Sequence, residues 1–310
     1  MDDCTLIKKV FERDIGEEII EIYSCRNAVF NINNVFRVDA ANKSYIFKLY
    51  RKKGYPEDGK IPFIAGKLTE HNIPHAKICS YNRNDNDFPN GYVIEEYLPG
   101  VTADRLGLDN NAWCGFYKNL ALMVSKVHQI MFDKHGFIIN VVPDCNTLTE
   151  HIESNFVYGK HSVYDIYTSN EIESVQRSLI NSLKPCDNIQ PCLCHIDIQP
   201  KNVIVHNGGA TLIDWDDARS FPAIVDIARL TLLIELDFDN ENSAEKQRSE
   251  MLKSAFLNNY GNAETIMAYH KHETALHVWH GLILLNFCKP NTPQFHKIKT
   301  STDAKLRLLT

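Results

Sequence analysis

The sequence is short of basic charge. Its 310 residues carry 33 Lys and Arg against 39 Asp and Glu, a formal net charge of −6. That balance argues against bulk binding to nucleic acid and suits cationic small ligands better than anionic ones. There is no Cys-x-x-Cys pair. The nine cysteines, at 4, 25, 79, 114, 145, 186, 192, 194 and 288, are odd in number and scattered, and Cys192-Leu-Cys194 alone does not make a metal site. Reduced, mostly buried thiols are expected. No uninterrupted apolar run approaches the roughly 18–20 residues of a membrane span. Internal repeats and low-complexity tracts are missing too. The opening MDDCTLIKKVFERDIGEEI is acidic and polar, unlike a signal peptide. A cytoplasmic protein, monomer or dimer, with neither nucleic acid nor membrane as partner, is the expectation.

Apolar residues make up 44% of the chain, enough for one large or two medium domains. A short helix over 4–14 is followed by EEIIEIYS, NVFRVDA, KSYIFKLY, KICSYNR and GYVIEEY, which read as strands. DAANKS is a turn, so the second and third strands form a hairpin. IPFIAGKLTEHN lies between the third and fourth strands, with Pro62 suited to a first helical position and apolar residues at 61, 64, 65 and 68. After Leu98-Pro99-Gly100 the pattern turns helical, with predicted helices over 110–131, 145–156, 170–183, 223–236, 244–260 and 263–288. The pattern gives an α+β chain: an N-terminal lobe over 1–97 with a small antiparallel sheet and one helix laid on it, then a mainly α-helical lobe over 98–310. A cleft between two such lobes is a usual place for a ligand.

One segment interrupts the helical half: CHIDIQPKNVIVHNGGATLIDWDD, residues 194–217. Asn-Gly between β-branched runs is a strong hairpin signal. With the turn at 207–209, His206 pairs with Ala210 and Asn202 with Asp214. Opposed residues hold their Cβ atoms about 4.5–5.5 Å apart, so an amide oxygen and a carboxylate meet at the open end. Asp197 precedes Asn202 by five residues, in a loop stiffened by Pro200. Two oxygen ligands with a third carboxylate nearby suit magnesium, which fills its other positions with water and phosphate oxygens. The third carboxylate is left to orient a hydroxyl and take its proton. Phosphoryl transfer needs this set, with a lysine on the phosphates. Lys48 shares a strand face with Ile46 and Tyr50, and a lysine on a buried face needs a counter-charge.

The spacing His-x-Asp-x4-Asn, with an Asp twelve residues after the Asn, resembles the catalytic and metal-binding segments of protein-kinase-like folds. Asp214-Trp215 narrows the resemblance to the aminoglycoside phosphotransferase and choline kinase-like family. FPAIVDIARL, YLPG and HNIPHAKI resemble further pieces of that family and fall in the same order, over roughly residues 20–235. The resemblance implies a bilobal protein-kinase-like fold, with Asp197 as catalytic base and Asn202 and Asp214 as Mg2+ ligands. It implies that His195 holds the loop and that Asp226 braces it from the following helix. Lys48 would hold the phosphates of ATP or GTP, and backbone groups of Glu96, Tyr97 and Leu98 would meet the base.

The chain also departs from the family. Its phosphate-covering loop, SCRNAVFNINNVFRV, has no glycine; Ser24, Asn27, Asn31, Asn33 and Asn34 stand in, and Asn tolerates left-handed backbone and donates hydrogen bonds. The helical glutamate that pairs with the lysine is missing: the matching position falls near Ile61, and Glu57 is the nearest candidate. Gln199 stands two after Asp197, where relatives carry a basic or His residue, and Lys201 is a substitute for that charge. Asp216 and Asp217 take no role. The acceptor is a small hydroxyl compound. IELDFDNEN offers Glu235, Asp237, Asp239 and Glu241 to an aminoglycoside or related amino-sugar, while a choline-like acceptor would need an aromatic cage, with Trp113, Tyr269 and Trp279 as walls; a sugar or homoserine stays open. A pseudokinase and a metal-dependent hydrolase are the competing readings, and the hydrolase lacks convergent His or Asp ligands, since the histidines at 270, 272, 277 and 280 read as solvent or core groups.

Overall fold

The computed structural model describes residues 3–25, 33–156, 165–206, 209–238 and 242–309. In chain order the first half holds α1 (Asp3–Ile15), β1 (Ile19–Ser24), β2 (Asn34–Ala40), β3 (Ser44–Leu49), α2 (Lys60–Glu70), β4 (Ile78–Asn82), β5 (Tyr92–Glu96), β6 (Val101–Thr102), α3 (Asn110–Val127), β7 (His135–Ile139) and β8 (Val142–Cys145). The second half holds α4 (Leu148–Asn155), α5 (Ser169–Leu183), β9 (Cys192–Cys194), β10 (Val203–His206), β11 (Gly209–Leu212), β12 (Arg219–Phe221), α6 (Ala223–Asp237), α7 (Ser243–Leu257), α8 (Ala263–Phe287) and α9 (Pro293–Leu309). The chain divides into two compact units. One comprises residues 1–105, 139–141 and 201–216; the other comprises 106–138, 142–200 and 217–310.

The first unit is built on a five-stranded antiparallel sheet of order β1-β2-β3-β5-β4. Val38 lies opposite Tyr45 and Phe36 opposite Phe47, so aromatic and β-branched side chains pair across the hairpin. On that face they meet Ile7, Val10 and Phe11 of α1, with the Phe11 and Tyr45 rings edge to face at 5.0 Å. The other face carries Lys48, Val93 and Glu95, which line a cavity with Ile61, Ile64 and Leu68 of α2. The helix begins at Lys60, two residues before Pro62, which still falls in the first turn, where no intrahelical donor is required. The β10–β11 hairpin belongs to this unit and pairs with β6. Gly100 lets β6 approach: a Cβ there would lie 2.5 Å from the Val205 carbonyl oxygen.

The hairpin register differs from expectation by one residue. His206 pairs with Gly209 and Val203 with Leu212, which leaves residues 207 and 208 as the link; these lie outside the described residues. The expected turn at 207–209 is therefore one residue too long, since Gly209 already belongs to the strand. The Ile213 amide donates to the Asn202 carbonyl oxygen at 3.0 Å. Asn202 therefore faces Ile213, and Asp214 comes one residue later.

The second unit is mainly helical, with α8 packed between α6 and α9. It also contains a four-stranded sheet of order β8-β7-β12-β9 that the sequence pattern did not announce. Two of its strands have only three residues, too few to show an alternation. The expected helix over 145–156 starts later, because Thr147 caps it by accepting from the Glu150 amide. His277 and His280 of α8 are buried against the Thr231 hydroxyl and the Val225 carbonyl oxygen, and burial pushes both pKa values down. They are core histidines. Among the described residues no helix is long and apolar enough to cross a membrane.

Candidate active site

In the first unit, charge gathers around Lys48. Pairing of β3 with β2 and β5 buries this strand, and the Lys48 side chain is only 11% exposed. Its Nζ lies 2.6 Å from Asp214 Oδ1 and 2.7 Å from Asp216 Oδ2. Burial alone would lower the lysine pKa; the two carboxylates outweigh it and hold it well above the ordinary value. Asp214 has φ 67°, in the left-handed region that Asp tolerates better than most residues. The chain turns there, and the side chain stays 47% exposed. Asp216 is buried, and its Oδ2 also accepts from Asn33 Nδ2 at 2.7 Å.

The pairing of Glu57 with Lys48 read from the sequence is not the one that forms. Glu57 Oε2 accepts from Lys60 Nζ at 2.9 Å. Lys60 is fully buried at the start of α2, and it also donates to the Asp216 carbonyl oxygen at 2.8 Å. The residues of α2 lining the cavity around Lys48 are Ile61, Ile64, Ala65 and Leu68, none of them a carboxylate. Glu95 of β5 lines the same cavity. Burial, reinforced by Asp216 and Asp214 and opposed by Lys48, pushes its pKa up to about 7. Sequence reasoning missed Lys60, Glu95 and Asp216. The alternation along β5 could have placed Glu95 beside Lys48, since Val93 pairs with Lys48 and Glu95 with Ile46.

The other residues expected to meet a nucleotide are spread out. Asn34 opens β2 and donates its side chain to Asp3 Oδ2 at 3.3 Å. Glu96 pairs with Lys43, and its amide donates to the Lys77 carbonyl oxygen; the Tyr97 amide donates to that of Ser44, with Leu98 next in the chain. Asn27 and Asn31 lie outside the described residues.

In the second unit, a loop runs from β9 through His195 and Asp197. Ile196 has φ 67°, an uncommon conformation for a β-branched residue. Asp226, fully buried in the first turn of α6, accepts from the His195 amide at 2.7 Å and the Ile196 amide at 2.8 Å. It holds the strained turn in place. The Asp197 amide in turn donates to His195 Nδ1 at 3.3 Å, so His195 closes the loop from within. The Asp197 carboxylate accepts from Gln199.

Asp226 has a partner of its own. His128 Nε2 lies 3.1 Å away, and His128 Nδ1 lies 2.7 Å from the Tyr260 hydroxyl. Burial lowers the His128 pKa, but the hydrogen bond to Asp226 overrides it and raises the value to about 9. Burial pushes the Asp226 carboxyl up, and His128 with the loop amides brings it below its ordinary value. Cys192 and Cys194 lie beside His128 on β9, and both thiols donate to the Phe221 carbonyl oxygen at 3.4 Å. Arg229, three residues past Asp226, was not singled out in the sequence. Burial lowers its pKa against the pull of Asp197 and Asp217. Asp217 pairs with Arg219 at 3.6 Å.

The acidic stretch that begins in the last turn of α6 is partly occupied. Glu235 Oε1 accepts from Lys305 Nζ at 2.5 Å. Burial raises the Asp237 pKa, and Lys297 opposes it. Asp239 and Glu241 lie outside the described residues. Tyr269 and Trp279, two walls of the alternative aromatic cage, are buried in the core, and Trp279 packs edge to face on Phe221 at 5.7 Å.

The chain is similar to known proteins over nearly its whole length. A family model described as a phosphotransferase enzyme family matches residues 30–269. No curated protein matches the sequence. Among solved structures, the aminoglycoside phosphotransferase APH(4)-Ia aligns with a TM-score of 0.67 and 14% identity, covering 98% of each chain. An ethanolamine kinase from Plasmodium vivax aligns with a TM-score of 0.67 and 16% identity, over 99% of this chain and 89% of that one. The choline kinase LicA from Streptococcus pneumoniae aligns with a TM-score of 0.64 and 17% identity, over 98% of each chain. At these identities the likeness is one of fold, a kinase-like α+β architecture.

Proposed function

The chain belongs to the phosphotransferase enzyme family, and from that premise we propose that it moves the γ-phosphate of ATP or GTP to a hydroxyl of a cationic small molecule, an aminoglycoside or related amino-sugar first. The observation that carries this reading is the Lys48 cluster. A buried lysine sits 2.6 Å from the carboxylate at the metal-ligand position of the motif. The two groups face each other until a nucleotide supplies phosphates to one and a cation to the other.

In this reading Lys48 exchanges Asp214 for the α- and β-phosphates. Asn202 and Asp214 offer an amide and a carboxylate oxygen, hard donors suited to Mg2+, and the half-exposed Asp214 is reachable. The bound ion would neutralise charge on the transferring phosphoryl group. Leu98, next to amides already engaged in the sheet, would meet the base together with backbone groups of Glu96 and Tyr97. Asn33 and Asn34 would border the phosphates. Asp197 orients the acceptor hydroxyl and takes its proton, and Gln199 fixes which carboxylate oxygen is presented. His195 and Asp226 hold the Asp197 loop.

A cationic acceptor is supported by the net charge of −6 and by the relatives, whose names include both an aminoglycoside phosphotransferase and amino-alcohol kinases. Burial of Tyr269 and Trp279 disfavours a cage built on them and puts amino-sugars ahead of choline. Glu235 and Asp237 contribute to the acceptor site only if Lys305 releases Glu235; Asp239 would act with them. The test is nucleotide turnover across a panel of aminoglycosides, choline, sugars and homoserine, with phosphate transfer read directly on the acceptor. Transfer to an amine-bearing alcohol that Asp197→Ala abolishes, with nucleotide binding kept, supports the proposal. Transfer that survives Asp197→Ala, or a preference for neutral sugars, overturns it.

A further inference from the structure

Kinase-like sites need a fixed carboxylate beside the phosphate-binding lysine. Without one the amine is free to swing, and a displacement of about 1 Å can cost on the order of 10²-fold in rate. In this chain α2, the helix beside Lys48, presents Ile61, Ile64 and Leu68 to it, and Glu57, in the loop before the helix, is held by Lys60. Three other carboxylates are near: Asp214, Asp216 and Glu95. Asp214 is half exposed and sits at the metal position, so it leaves the lysine when nucleotide and cation arrive. Glu95 makes no ion pair with Lys48 among the described residues. Asp216 differs from both.

We infer that Asp216 is the positioning residue that holds Lys48 for the nucleotide's phosphates, in place of a carboxylate on α2. The inference rests on the phosphotransferase reading above. Asp216 Oδ2 lies 2.7 Å from Lys48 Nζ, and the side chain is only 8% exposed. It is anchored at both ends. Asn33 Nδ2 donates to the same carboxylate oxygen at 2.7 Å, and the buried Lys60 ammonium fixes the Asp216 carbonyl at 2.8 Å. Lys60 thus links the start of α2 to the Asp216 backbone. The helix still reports to Lys48, but through an ammonium and a main-chain oxygen and not through a glutamate. The second Asp of Asp-Trp-Asp thereby takes a role in binding, while the first is left to the metal.

The experiment compares the wild-type chain with Asp216→Asn and Asp216→Glu in three measurements. The first is the rate at which an amine-directed acylating reagent modifies Lys48 in nucleotide-free protein, read by peptide mapping. Losing a carboxylate that holds the amine in place at 2.7 Å should speed acylation in Asp216→Asn, and Asp216→Glu should stay near wild type. The second is the split of nucleotide KM and kcat. Asp216→Asn should lower kcat/KM on the order of 10²-fold, with Asp216→Glu recovering part of it. The third is the midpoint of magnesium activation, which should not move. Equal acylation of Lys48 in all three proteins would overturn the inference. So would a magnesium midpoint that shifts with Asp216→Asn, which would make Asp216 a metal ligand. Should Asp216→Asn fail to fold, Lys60→Met, which frees the Asp216 backbone, should give a smaller rise in acylation, and no rise would count against the pairing. A wild-type chain that transfers no phosphate strikes the phosphotransferase reading alone, and acylation still decides the Lys48–Asp216 pair.

Discussion

The two units hold their functional side chains by opposite means. Around Lys48, charge is held by charge: one ammonium faces Asp214 and Asp216, and a second ammonium, Lys60, braces the backbone of Asp216. Around Asp197, position is held by the main chain: the amides of His195 and Ile196 are fixed by a single buried carboxylate, Asp226. Ion pairs can exchange partners when a ligand brings its own charges, as Lys48 and Asp214 would in the proposed binding of a magnesium nucleotide. The Asp226 hydrogen bonds are fully used and cannot be lent to a substrate. One arrangement suits the proposed binding of a nucleotide, the other the proposed general base, Asp197.

Perturbing the two arrangements should therefore give different signatures. The largest effect is expected from Asp197→Ala, which should reduce phosphate transfer by about 10²–10⁴-fold while nucleotide affinity, measured by thermal shift, stays within a few-fold. Asp226→Ala should come next. It leaves His128 and two loop amides without their acceptor and should destabilise the fold by about 3–5 kcal/mol, measured by urea denaturation, with transfer lost alongside. Lys48→Met should act on binding first, weakening the magnesium nucleotide about ten-fold or more, roughly the 1.5–3 kcal/mol of a charge-assisted hydrogen bond, as calorimetry would read. A loss confined to kcat would erase the contrast between the units.

A smaller effect separates the units by pH. His128 has a folded pKa of about 9 against 6.5 for the free side chain, so its stabilising contribution is complete below pH 6.5 and is lost as pH rises through 9. Asp226 is depressed below 3.8, and its contribution is present above that pH and lost on acidification. Stability should thus be greatest between about pH 4 and 6.5 and decline toward 9, and His128→Gln should flatten the alkaline side of a melting-temperature profile. The smallest effect expected is that of Gly100→Ala. Its Cβ would meet the Val205 carbonyl oxygen at 2.5 Å and the Ile204 Cγ2 at 2.6 Å, and the overpacking should cost about 1–3 kcal/mol without touching the Asp197 loop.

How much of this could be read beforehand depended on how local each signal was. The five strands of the first sheet and the α2 helix were legible because alternation and helical period extend over five residues or more. The strands β9 and β12 were not, since three residues carry no period. The hairpin was recognised from Asn-Gly, but its register slipped by one, because Gly209 pairs with His206 and the Asn-Gly-Gly spelling alone does not say which glycine enters the strand. Lys48, Asp197, Asn202, Asp214 and Asp226 were singled out by motif spacing, which is a sequence property. Lys60, Glu95 and the engagement of Asp216 were not, because they depend on which side chains a folded sheet brings together from three separate stretches. The choice of Glu57 failed for the same reason: proximity in sequence to α2 says nothing of its attraction to Lys60, three residues on.

On the proposed function, the Lys48 cluster and the Asp197 loop would serve one reaction, phosphoryl transfer to an amine-bearing alcohol. The most direct measurement is transfer of labelled γ-phosphate from ATP or GTP to an aminoglycoside panel by the wild-type chain, Lys48→Met and Asp197→Ala, with nucleotide binding measured on the same preparations. The account predicts labelled acceptor with wild type, none with Asp197→Ala despite retained nucleotide binding, and weakened binding with Lys48→Met. Undiminished transfer by Asp197→Ala, or nucleotide affinity indifferent to Lys48, would contradict it.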